Sequence, residues 1–179
     1  VMPFGDCPLD EYDVGKSVYM DILNRAKDYV YIMTPYMIMD GELENSLTFS
    51  AERGVDVRII LPHISDSFVA QALAKTHYKK LLDAGVKVYE YTPGFVHAKV
   101  FVSDDVKSVV GSINMDYRSL YHHFECATYM YGTRCIEDIK SDYKDTLAKC
   151  QQVTYESIKN DKWYIKLIGK VLKFVSPLI

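Results

Sequence analysis

The chain has 179 residues, 49 % hydrophobic and 25 % charged, with a formal net charge of -3. That length fits one domain whose core needs no disulfide staples. The acidic balance argues against a strongly basic nucleic-acid-binding protein, though not against a local basic patch. No apolar run reaches the roughly 18 residues of a membrane span, and no signal peptide is visible. The four cysteines, Cys7, Cys126, Cys135 and Cys150, form no C-x-x-C pair and are expected as free cytosolic thiols. Opening on Val1 rather than Met, the sequence is expected to be part of a longer chain.

Val18, Ile22 and Ala26, with Tyr19 and Leu23, form a helical stripe. Residues 29–34 read as a buried strand closed by Pro35. A second helix is expected from the N-cap Asp40 to Gly54, then a strand over 55–61 stopped by Pro62. Val69, Leu73, His77 and Leu81 recur at four-residue steps on a third helix that Gly85 closes, and 86–91 is the next strand. Short strands over 98–103 and 106–110 flank Asp104-Asp105, which reads as a hairpin turn. A strand over 123–131 ends at Gly132, and helices over 134–151 and 161–175 finish the chain. Helices alternating with strands, then a hairpin, predict an α/β fold: a mixed β-sheet flanked by helices on both faces.

The chemistry lies in FVHAKVFVSDDVKSVVGSIN. His97 and Lys99 are two apart on the expected strand, so both leave the same face. Val96, Ala98, Val100 and Val102 point the other way, into a core. An imidazole and an ammonium side by side make sense if an anion sits between them. Ser112 and Asn114 repeat the spacing across the hairpin, and Gly111 before them lets the backbone approach closely. A nucleophile or base, a cation, a hydroxyl and an amide therefore converge, a set that fits a phosphate.

His97, Lys99, Asp104, Gly111, Ser112 and Asn114 follow H-x-K-x(4)-D-x(6)-G-S-x-N, and the chain resembles the phospholipase D superfamily on that motif. YIMTPYMIMDGEL, RGVDVRIILP and NMDYRSLYHHFEC look like the carboxy-terminal catalytic half of bacterial cardiolipin synthases. The resemblance implies that two such motifs meet around one phosphate. One histidine would attack phosphorus and the opposite one would act as acid and then base. His97, Lys99, Asp104 and Glu125 would be catalytic, with Glu125 orienting His97 and Asp104 supporting from the turn. Lys99, Ser112 and Asn114 would hold the phosphate. No metal or cofactor is expected, because the lysines supply the positive charge. The implied substrate is phosphatidylglycerol, giving cardiolipin and glycerol. The implied partner is the other motif-bearing half or a second copy, at the cytoplasmic side of the cell membrane.

Other residues stay open between two roles. Tyr36 and His63 follow strand ends, where ligands gather in α/β sheets, and are pocket candidates. Arg118 fits a lipid phosphate or a surface ion pair. His77 is expected to be structural. The domain is expected over 1–155 and a basic amphipathic helix over 156–179. In that tail Lys162, Lys166, Lys170 and Lys173 share one stripe beside Trp163, Leu167, Val171 and Phe174. Such a helix binds a membrane surface or packs on the protein. Two rival functions remain: a homodimeric single-motif nuclease, and a membrane-binding half-domain inactive without its partner.

Overall fold

The structure is a computed structural model that describes residues 1–9 and 11–174. In chain order the strands and helices are β1 (Met2–Asp6), α1 (Val14–Arg25), β2 (Tyr29–Met33), β3 (Met37–Ile38), α2 (Gly41–Glu52), β4 (Asp56–Pro62), α3 (Phe68–Asp83) and β5 (Lys87–Tyr91). They continue with β6 (Val100–Ser103), β7 (Lys107–Gly111), β8 (Met115–Asp116), a π-helical turn (Arg118–His122), β9 (Glu125–Tyr131), α4 (Cys135–Leu147), β10 (Cys150–Gln152), α5 (Tyr155–Asn160) and α6 (Trp163–Leu172).

Eight strands form one sheet in the order β1-β9-β7-β6-β2-β4-β5-β10, and β3 pairs with β8 apart from it. β2, β4 and β5 run parallel, while β6 enters antiparallel to β2. Side-chain alternation along β2 assigns the two faces. Val30 and Ile32 join Tyr19, Ile22, Leu23, Leu43, Leu47, Tyr78 and Leu81 from α1, α2 and α3 in one core. Tyr29, Tyr31 and Met33 join Val100, Val102, Ile136 and Tyr143 in a second core under α4. The expected mixed sheet with helices on both faces is what the chain forms.

Local chemistry sets the ends. The Asp40 carboxylate accepts from Leu43 N at 2.8 Å and starts α2. Ser67 Oγ accepts from Ala70 N at 3.2 Å and starts α3. Gly54 and Gly85 close these helices with φ of 97° and 91°, the left-handed geometry that favours glycine. The expected helix over 134–151 is shorter. It stops at Leu147, and Cys150–Gln152 pairs instead with the open edge of β5. β1 and the two-residue β3 and β8 have no counterpart in the sequence reading. The final segment is two helices, not one. Lys75 pairs with Asp161 at their junction, and Gly169 packs α6 onto α3, where an added Cβ would lie 2.5 Å from Ala72 O. Val175, placed in that helix by the sequence, lies outside the described residues.

Candidate active site

The carboxyl ends of β2 and β4, the entry to β6, the exit of β7 and the start of β9 all lie at one edge of the sheet. The register requires it: Met33 pairs with Val100, Val100 with Val110, and Gly111 with Ala127. His97, Lys99, Ser112, Asn114 and Glu125 therefore gather there. The two arms differ from the expectation in one respect. Residues 97–99 and 112–114 are extended segments just outside β6 and β7, not strand residues. The alternation survives, since Val96 and Ala98 still pack on the second core.

His97 is exposed, and its ring lies against Phe95 and edge-on to Tyr36, with centroids 5.5 and 6.4 Å away. Lys99 is only 8 % exposed, and its Nζ donates to the His97 carbonyl at 2.7 Å. Burial pushes the Lys99 ammonium below its usual range, while the carboxylates of Glu125, Asp116 and Asp66 pull the other way. A cation so desolvated has strong reason to meet an anion.

Opposite stands a polar relay. Ser112 Oγ bonds Glu125 Oε2, and Ser119 Oγ donates to Glu125 Oε1 at 2.8 Å. Asn114 Nδ2 donates to Ser119 Oγ at 2.9 Å, leaving Asn114 Oδ1 buried and unpartnered among the described residues. Cys126 N donates to Ser112 Oγ at 3.0 Å. Gly111 permits this closeness, because an added Cβ would lie 2.4 Å from Cys126 O and 2.5 Å from Ala127 Cα.

Glu125 thus departs from its expected contact. Its two oxygens accept from Ser112 and Ser119, so it ties the 112–114 segment to the π-helical turn. Asp104 lies at the hairpin turn where it was expected, but what it supports is β2. It sits at the far end of β6, where its carboxylate accepts from the amides of Lys27, Asp28 and Tyr29 at 2.9, 3.0 and 2.9 Å. It is a positioning residue for β2. His63 leaves the site. Its Nδ1 lies 2.7 Å from Glu90 Oε2, in a separate polar cavity of about 350 Å³ with Tyr78 and Gln151. His77, buried on Glu44 at 2.7 Å, is structural.

Tyr36 and Arg118 do belong nearby. Both line a cavity of about 520 Å³ with Asp116. Tyr36 OH donates to Asp66 Oδ2 at 2.7 Å, and burial together with that bond pushes its pKa up to about 12. Arg118 makes no ion pair among the described residues, and its Nη2 lies 3.2 Å from His123 Nε2. Sequence reasoning missed Ser119, Asp116 and Asp66. Burial raises the Asp116 carboxyl although Ser119 N donates to it at 2.8 Å. The signal for Ser119 and Asp116 was present: two polar residues among Ile113, Met115 and Leu120, all buried.

A mixed sheet carrying a histidine–lysine arm at this edge defines a phospholipase D-like domain. Solved structures agree on the fold. Phosphatidylserine synthase of Haemophilus influenzae superposes with a TM-score of 0.79 at 13 % identity, covering 99 % of this chain and 47 % of that one. Nuc of Salmonella typhimurium, a phospholipase D family member, gives 0.70 at 18 % identity, covering 85 % and 99 %. The chain belongs to the family described as cardiolipin synthase, PLD-like domain, which matches residues 19–147. A cardiolipin synthase of Halalkalibacterium halodurans is 32 % identical over 172 residues, 96 % of this chain. An uncharacterized protein of Streptococcus mutans is 62 % identical over all 179 residues. The chain spans only 34 % and 39 % of the lengths of these two relatives.

Proposed function

We infer that this domain is one half of a phosphatidyltransferase that makes cardiolipin from two molecules of phosphatidylglycerol. The observation that carries it is the buried Lys99 ammonium beside exposed His97, with the Ser112–Glu125–Ser119–Asn114 relay at the same sheet edge. His97 forms an N–P bond with the phosphatidyl phosphorus as the P–O bond to glycerol breaks. The facing histidine of a second motif hands the glycerol oxygen its proton. That histidine then takes the proton of the second phosphatidylglycerol's hydroxyl, whose oxygen displaces His97. Lys99 and Asn114 stabilise the charge on the phosphoryl oxygens.

The chain carries one such motif, so the facing histidine comes from the rest of a longer protein or from a second copy. The exposure of His97 and the short span of the relatives both fit that need. A homodimeric nuclease would use the same arm, but the similarity to relatives named cardiolipin synthase favours the lipid reading.

The test is labelling of the intact enzyme with phosphate-labelled phosphatidylglycerol, stopped by denaturation at neutral to mildly alkaline pH because a histidine N–P bond hydrolyses in acid. Label on His97 is expected, with turnover at least about a thousandfold lower in His97→Ala. Unchanged turnover in the variant overturns the assignment. Cleavage of nucleic acid but not lipid selects the nuclease.

A further inference from the structure

α6 has two opposed faces. Ile165, Gly169 and Leu172 turn toward the domain, with Gly169 locked against Ala72 and Leu172 packed on the small core of Ile38, Ala70 and Leu73. The opposite stripe is Trp163, Leu167, Val171 and Phe174, which are 73, 53, 61 and 90 % exposed. Four large apolar side chains in one exposed row exceed the scattered hydrophobics of an ordinary surface. Lys162, Lys170 and Lys173 all fall on one flank of that row, and each is exposed. Cations beside an apolar row match the anionic headgroups and acyl boundary of a lipid leaflet, whereas a groove on another protein need not supply both.

The inner face of α6 leads to the site. Leu172 lines the cavity of about 520 Å³ together with Ile38, Val69 and Ala70, and Tyr36 and Arg118 share that lining. Tyr36 is the ring that meets His97 edge-on. A largely apolar cavity of ligand size thus runs beside the lysine-flanked helix as far as Tyr36, the neighbour of His97, and Arg118, Ser67 and the Asp116 carboxyl are its polar lining.

We propose that α6 seats the domain on an anionic lipid leaflet, and that the cavity between α6, α3 and Tyr36 receives the apolar part of a phospholipid whose phosphate reaches His97. The role of the cavity rests on the phosphatidyltransfer reading, whereas the seating does not. The seating also settles the two roles left open for this helix: one face packs on the domain while the other meets lipid.

Trp163 is the chain's only tryptophan, so its emission reports on α6 alone. Vesicles of phosphatidylglycerol and phosphatidylcholine should shift Trp163 emission to the blue and float the chain, and brominated lipid should quench it. Phosphatidylcholine alone should do neither. Leu167→Glu with Val171→Glu should abolish flotation. Lys170→Glu with Lys173→Glu should weaken it about tenfold or more. Both pairs are exposed, so circular dichroism and melting should match the parent. Val69→Trp, which fills the cavity, should leave flotation intact but lower turnover of vesicle-borne phosphatidylglycerol by the intact enzyme. Turnover of a short-chain soluble analogue should fall less. Absence of flotation by the parent, or a Trp163 shift that follows protein self-association without lipid, overturns the seating. Equal losses on both substrates overturn the role of the cavity. Flotation of the chain with no lipid turnover by the intact enzyme leaves the seating standing and rejects the enzymatic reading.

Discussion

At one end of the β6–β7 hairpin Lys99 is buried with a single hydrogen bond among the described residues, to a backbone carbonyl, and burial lowers its pKa. At the other end Lys140 bonds Asp105 at 2.5 Å, and its pKa is raised by that bond. The carboxylates divide the same way. Asp104 satisfies three backbone amides at the turn, whereas Glu125 engages the hydroxyls of Ser112 and Ser119, the second of which also accepts from Asn114. Completed bonding builds structure, and incomplete bonding is what a ligand can use. The motif letters H, K and D span both ends, so spelling alone does not separate reacting residues from supporting ones.

Asp104→Ala tests the structural end and carries the largest expected effect. Three charge-assisted bonds to the start of β2 are lost, and Ala must also adopt the φ of 54° found there. A loss of roughly 3 kcal/mol is expected, equivalent to about 6–12 °C in melting temperature for a chain of this size. Asp104→Asn, which tolerates that φ and keeps one acceptor, should lose less than half as much. His97→Ala, at an exposed position, should leave the melting temperature within about 2 °C. If instead Asp104→Ala melts like the parent but lacks turnover, the two ends are not divided as described.

Gly111→Ala probes the boundary between the ends and should cost about 2 kcal/mol. The new Cβ would press on Cys126 O and Ala127 Cα, so β7 and β9 must part just where Ser112 meets Glu125. Stability and turnover should fall together, and hydrogen exchange at Ser112 N, which donates to Cys126 O at 2.8 Å, should accelerate. Loss of turnover without faster exchange would show that the glycine serves the ligand directly.

Much of this was legible in the sequence. Asp40, Ser67, Gly54 and Gly85 punctuate the helices by local chemistry, and local chemistry is what a sequence displays. The His97–Lys99 spacing survives even though the arm lies outside β6, because extended backbone alternates with or without a ladder partner. What stayed hidden depends on partners distant in the chain. Glu125 could be placed at the site, but its hydroxyl partners lie 13 and 6 residues back, and Ser119 reaches it only through a π-helical turn. His63 does line a pocket, but a different one, because Glu90, 27 residues on, holds its ring away from His97. β1 has the same cause: Met2 to Asp6 pair with β9 more than a hundred residues away.

Asp105→Asn carries the smallest expected effect and tests the turn by pH. Lys140, the strongest influence, holds the Asp105 carboxyl below its ordinary value of 3.8, against a smaller opposing effect of burial. A carboxylate whose folded pKa is depressed stabilises the fold above 3.8 and loses that contribution as pH falls through the lowered value. Asn accepts the φ of 57° at this site and can still take the Tyr29 hydroxyl, so the change isolates the charge. Because Asp105 is exposed, the difference from the parent should stay below about 1 kcal/mol. In urea unfolding it should hold between about pH 5 and pH 7, shrink below the ordinary carboxylate value, and shrink with added salt. The same substitution should leave turnover unchanged, since Asp105 lies at the end of the hairpin away from His97. A turnover loss larger than the stability change would mean that the turn communicates with the His97–Lys99 segment through β6.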